Sequence, residues 1–63
     1  MLDDQIACVD IGPRQWLEPK ERKLWEVGLP CEIREPVPGF VGLYINLRHE
    51  ELYKEFKRRG RLD

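Results

Sequence analysis

The sequence predicts an α+β fold: a small single domain, residues 1–63, in the order β-α-β-β-α. An antiparallel hairpin plus an N-terminal strand should form the sheet, with two helices packed on one face. Three observations predict it. Apolar residues alternate with period two over Val41–Leu47 and recur with the helical period over Arg48–Arg59. Pro38-Gly39 and Gly28-Leu29-Pro30 set these segments off from what precedes them, and Gly12-Pro13 ends an earlier β-branched run.

Gln5–Ile11 (QIACVDI) is that run, and it stops at Gly12-Pro13. A regular strand places Ala7, Val9 and Ile11 on one face and Ile6, Cys8 and Asp10 on the other. Arg14–Glu18 reads as a connector carrying Trp16 and Leu17. Pro19 suits the first position of a helix, where its missing N–H is harmless. Lys20–Val27 follows with good helix formers, Gly28 stands where a C′ residue belongs, and Pro30 is a stop. Leu24 and Trp25 mark the expected buried stripe.

Cys31–Glu35 alternates as a strand, and Pro38-Gly39 fits the centre of a type II turn. Val41–Leu47 pairs with it, with Val41, Leu43, Ile45 and Leu47 inward and Gly42, Tyr44 and Asn46 outward. Asn46 is placed to cap the second helix. His49, Leu52, Tyr53 and Phe56 form that helix's apolar stripe, its first turn holds Glu50 and Glu51, and Gly60 ends it. The expected core is Leu24, Trp25, Leu52, Tyr53 and Phe56 over Val9, Ile33, Val41, Leu43 and Ile45.

The chain has 63 residues and a formal charge of −1, with 41% apolar and 37% charged residues. It is too apolar for charge-driven disorder and too nearly neutral to coat nucleic acid. Burial contributes about 95 kcal/mol and chain ordering costs about the same, so one copy has little stability in hand. The charge is unevenly placed. Lys54–Arg61 (KEFKRRGR) holds five bases against one acid. It reads first as a solvated helix end at the negative pole of the helix dipole. Its second reading is a contact site for phosphate or an acidic partner through Lys54, Lys57, Arg58, Arg59 and Arg61. The basic end, residues 57–63, is expected to be flexible.

Chemistry-bearing patterns are sparse. His49-Glu50-Glu51-Leu52-Tyr53 resembles a metal helix only in its first two residues, because Tyr53 stands where a second His is needed. One His and two cysteines 23 positions apart do not make a zinc set. Neither Ser nor Thr occurs in the sequence, which removes hydroxyl nucleophiles. The acid pairs Asp3/Asp4, Glu32/Glu35 and Glu50/Glu51 have no reason to face each other across a substrate. No catalytic residue, metal, cofactor or small-molecule substrate is expected. With no signal-peptide pattern and no apolar run long enough to span a bilayer, a cytoplasmic protein with reduced thiols is expected. A bond between Cys8 and Cys31 on neighbouring strands stays open.

Lys20–Pro30, the hairpin Cys31–Leu47, and Glu50-Glu51-Leu52 through Arg61 cover about two-thirds of the chain. Together they are similar to small winged-helix excisionase-type proteins of phages and mobile elements. The resemblance implies DNA architecture work, with Arg34 on the wing and Arg58, Arg59 and Arg61 on phosphates. That family normally places a separate recognition helix before the hairpin, where this chain has one short helix, and the sequence pI is 5.8.

Six aromatics remain. Trp25, Tyr53 and Phe56 are expected in the core. Trp16, Phe40 and Tyr44 are hard to bury within one copy, and Arg14, Arg34 and Arg48 lie close to them in sequence. Aromatics with Arg are enriched where interfaces concentrate their binding energy. The expected function is a non-enzymatic protein-interaction module, a small assembly subunit or a partner-occluding regulator. It would act through Arg14, Trp16, Arg34, Phe40, Tyr44 and Arg48 on a protein partner or a second copy. A DNA-binding accessory role is the alternative.

Overall fold

A computed structural model describes residues 2–60. The elements are β1 (Ile6–Ile11), α1 (Arg14–Glu26), β2 (Cys31–Val37), β3 (Phe40–Asn46), a 3-10 turn (Leu47–His49) and α2 (Glu50–Arg58). The sheet is antiparallel in the order β1-β3-β2, with both helices on one face, the predicted α+β arrangement. The hairpin forms around Pro38-Gly39, and Gly39 has φ +85°, as the type II turn requires. Its amide donates to Glu35 Oε2 at 3.0 Å.

The core lies between sheet and helices and consists of Leu17, Leu24, Leu29, Cys31, Leu43, Ile45 and Tyr53, with Val9, Val27, Ile33, Val41 and Phe56 packed against it. Leu24 and Leu29 meet through a Schellman end. The Gly28 amide donates to the Trp25 carbonyl at 3.0 Å and the Leu29 amide to the Leu24 carbonyl at 2.9 Å. Gly28 takes φ +82°, which a side chain would resist. The motif folds Leu29 back onto Leu24, and both side chains are fully buried.

Several sequence expectations are corrected. The first helix starts at Arg14, so Trp16 and Leu17 lie inside it. Pro13 precedes the helix, and its carbonyl accepts from the Trp16 and Leu17 amides. Pro19 therefore sits in the helix interior, not at its first position. With that phase, Leu17 and Leu24 face the sheet while Trp25, one residue on, is 51% exposed. Leu52 is likewise turned from the core that its neighbour Tyr53 enters. Leu47 is exposed because β3 ends at Asn46 and the 3-10 turn breaks the alternation. Asn46 makes no side-chain cap to the turn, nor does His49 to α2. Instead the buried Asn46 Oδ1 accepts from the Asp3 amide, tying the N-terminal segment to β3.

A bulge changes β1 most. Cys8 pairs with Tyr44, but Asp10, not Val9, comes opposite Leu43, and Ile11 opposite Gly42. The extra residue reverses the side-chain alternation beyond it. Asp10 is thereby brought to the helix side, and Ile11 is turned out with 58% of its surface exposed. Asp10 meets the Lys20 ammonium of α1, and its carboxylate also accepts from the Ile11 amide at 2.9 Å. Partial burial pushes the Asp10 carboxyl up. The Lys20 bond, the Ile11 amide and the charges of Lys20 and Lys57 outweigh it, so the net direction is down. A lowered carboxyl stabilises the fold above its ordinary value of 3.8, and that stabilisation is lost as pH falls through the folded value. Asp10→Asn is expected to cost about 1 kcal/mol at pH 7 in chemical denaturation. The difference from the parent should close in acid below pH 3.8.

Candidate functional site: the outer sheet face

One side of the sheet carries both helices, and the other side carries no helix or strand among the described residues. The register places Cys8 and Ile11 of β1, Phe40, Gly42 and Tyr44 of β3, and Glu32, Arg34 and Val37 of β2 there. Val37 reaches this face because β2 also shifts register between Arg34 and Val37, where it comes opposite Phe40. The two irregularities bring Ile11 and Val37 to the face beside Phe40, so each strand supplies one apolar residue at the hairpin end. Ile11, Val37 and Phe40 are 58%, 55% and 39% exposed.

Tyr44 lies flat on this face. A Cβ added at Gly42 would come within 3.1 Å of the Tyr44 ring and 3.0 Å of Cys8 Sγ. The ring occupies the space that the glycine leaves open, as aromatics do beside strand glycines. Loss of water first, then the neighbouring Cys8 thiol, pushes the Tyr44 phenol up. Between these residues is a concavity of about 420 Å³ lined by Cys8, Val9, Asp10, Ile11, Phe40 and Tyr44.

The residues expected at an interface divide accordingly. Arg34, Phe40 and Tyr44 share the outer face. Trp16, 66% exposed, lies on α1 with its ring beside Gly12, the residue that follows Ile11. Arg14 is exposed at the start of the same helix. Arg48 lies beyond the opposite end of β3, with its Nε 2.9 Å from Asp3 Oδ2. Sequence reasoning misses Ile11 and Val37 on this surface, because nothing in the apolar alternation marks either register shift.

The basic helix end is internally compensated. Lys54 Nζ lies 3.9 Å from Glu50 and 3.8 Å from Glu51, while Arg58 and Arg59 reach Glu55 at 3.3 and 3.0 Å. Lys57 acts on Asp10. Arg61, with the rest of the expected flexible end beyond residue 60, lies outside the described residues.

Cys8 and Cys31 are free thiols on opposite faces of strands separated by β3. Cys8 is exposed. Cys31 is buried, its thiol donates to the Glu21 carbonyl at 3.4 Å, and burial first, then Glu21, pushes it up to about 12. Such a thiol is unreactive at neutral pH. Among the described residues, no group of three His, Cys, Asp or Glu side chains is placed to hold a metal ion, and no helix is long and apolar enough to cross a membrane. No family model matches this chain, and no curated protein or solved structure matches it.

Proposed function

We propose that this chain is a non-enzymatic protein-interaction module whose docking surface is the outer face of the sheet. One observation carries the reading: no strand or helix among the described residues lies on the face opposite the helices, and away from Asn46, which is buried and bonded to the Asp3 amide, each strand contributes an exposed apolar residue to it, Ile11, Val37 and Phe40. Isolated apolar residues on a surface are ordinary, but a contiguous group rimmed by charge marks a contact site. Arg34 on this face and Trp16 beside Gly12 are of the residue types that anchor interfaces. The chemistry of the face agrees with docking rather than turnover, since its one nucleophile, Cys8, has no histidine beside it to activate it.

A photoreactive residue placed at Phe40 tests the proposal in cells that express the protein. A discrete higher-mass adduct is expected from position 40 and none from position 52, which is also exposed but on the helix side. Adducts from position 52 alone would contradict the assignment of the face.

A further inference from the structure

The outer face is bare at one end and covered at the other. Its bare end holds Ile11, Val37 and Phe40. At the far end Asn46, the last residue of β3, falls on the same side as Gly42 and Tyr44 by the alternation of the strand, with Ile6 of β1 opposite it. Asn46 is 1% exposed, the one buried polar side chain among the described residues. The segment before β1, residues 2–5, lies against it, because the Asp3 amide donates to Asn46 Oδ1.

Two further contacts hold this segment. The Gln5 carbonyl accepts from the Leu47 amide at 3.0 Å. The Asp3 carboxylate meets the Arg48 guanidinium with both oxygens, Nε lying 2.9 Å from Oδ2 and Nη2 3.4 Å from Oδ1. Asp3 thus grips both sides of the exit from β3, Asn46 with its backbone and Arg48 with its side chain. Paired contact of this kind fixes the geometry of an arginine and a carboxylate.

What the segment lacks is a share of the core. None of residues 2–5 belongs to the apolar cluster, and Asp3, Asp4 and Gln5 are exposed. Both partners of the ion pair are open to water, where such a pair is weak. Regions with few buried apolar contacts open by themselves while the rest of a protein stays folded. Opening still has a cost, since the buried Asn46 oxygen gives up its donor, and this favours the closed form.

We propose that residues 2–5 form a strap, fastened by Asp3 on Asn46 and Arg48, that opens and closes over one end of the outer face while the rest of the chain stays folded. Closed, it confines docking to the hairpin end. Open, it frees the face along the whole of β3. The proposal rests on the docking reading above and adds its regulation. It also gives Arg48 a part in the site, as the fastener of the strap and not as a contact residue.

Native-state amide hydrogen exchange on the whole purified chain tests it. Relative to their intrinsic rates, the Asp3 and Leu47 amides should exchange at least about 100-fold faster than the Leu29 amide, which only unfolding of the core releases. Low urea should speed exchange at Leu29 and leave the two strap amides unchanged, because opening the strap exposes little surface. Arg48→Gln should speed the Asp3 amide, the Leu47 amide and the Asn46 side-chain amide about threefold, all by the same factor. Raised salt should act in the same direction by screening the pair. Arg14→Gln, at an exposed arginine elsewhere, should change none of the three.

Equal protection and equal urea dependence at Asp3, Leu47 and Leu29 would overturn the proposal, because the segment would then open only with the whole fold. Arg48→Gln acting on the Asp3 amide alone would also overturn it, since the residues would then fray one by one. These failures are distinct from failure of the docking reading. Absence of any adduct from position 40 would remove the docking reading and leave the opening of the strap as measured.

Discussion

Leu43→Ala is expected to cost about 3 kcal/mol and to lower Tm by about 15 °C or more, measured by thermal denaturation at fixed protein concentration. Leu43 has no exposed surface and sits on the central strand, where β1, β2 and α1 all border it. No neighbour can collapse into the space without leaving its own strand or helix, so most of the cavity penalty should be felt. The whole fold holds only about 3–9 kcal/mol at this chain length, so the variant should be partly unfolded at 37 °C. Leu52→Ala, the same chemistry at a 44% exposed site, should stay within about 0.5 kcal/mol of the parent. Equal losses at the two positions would mean that the core does not lie between sheet and helices.

Pro19→Ala is expected to stabilise the protein by about 1–2 kcal/mol and to raise Tm by about 5 °C or more. Pro19 is the sixth residue of α1, so its missing N–H leaves the Gln15 carbonyl without its usual helical donor. Alanine restores that bond and removes the ring from the preceding turn. The proline's restriction of the unfolded chain offsets about 0.4–1 kcal/mol of the gain. Pro19 is exposed, so the exchange opens no cavity. Loss of stability would show instead that the helix needs the proline's local geometry to set Lys20 against Asp10.

The elements themselves are legible in the sequence because each one's local chemistry agrees with its place in the fold. Gly28 ends a helix in both sequence and structure, Gly39 makes the turn, and the Leu43/Ile45 pair faces the helices as alternation requires. Phase is harder to read. Pro19 is as good a first residue as Pro13 is a preceding one, and choosing Pro19 shortens α1 by its first turn and hides Leu17's part in the core. Hydrophobicity alone places Trp25 and Leu52 inside, but about 100° of helix separates each from its buried neighbour. Leu29 follows the helix, and only the Schellman hydrogen bonds fold it back into the core.

The docking face shows the same division. Trp16, Phe40 and Tyr44 are legible as aromatics without room in a core this small, and Arg34 as a neighbour on the hairpin. Ile11 and Val37 are not. A bulge costs one unpaired residue and leaves no composition signal at Val9 or Glu35, yet it reverses every side chain after it. Sequence proximity groups Arg48 with these residues, and the length of β3 separates it from Phe40.

A protein surface is expected to cover the outer sheet face when this chain is at work, and Cys8 is the built-in reporter. It is exposed on that face, while Cys31 is buried, pushed up to about 12 and silent to thiol reagents. Maleimide labelling of Cys8, referenced to a second thiol introduced by Leu52→Cys on the helix side, compares intact cells with the purified protein at high dilution. The labelling of Cys8 relative to that reference thiol is expected to be at least about tenfold lower in cells than in dilute solution, because the covered face excludes the reagent. An unchanged ratio would mean that the face stays open in cells and is not a docking surface.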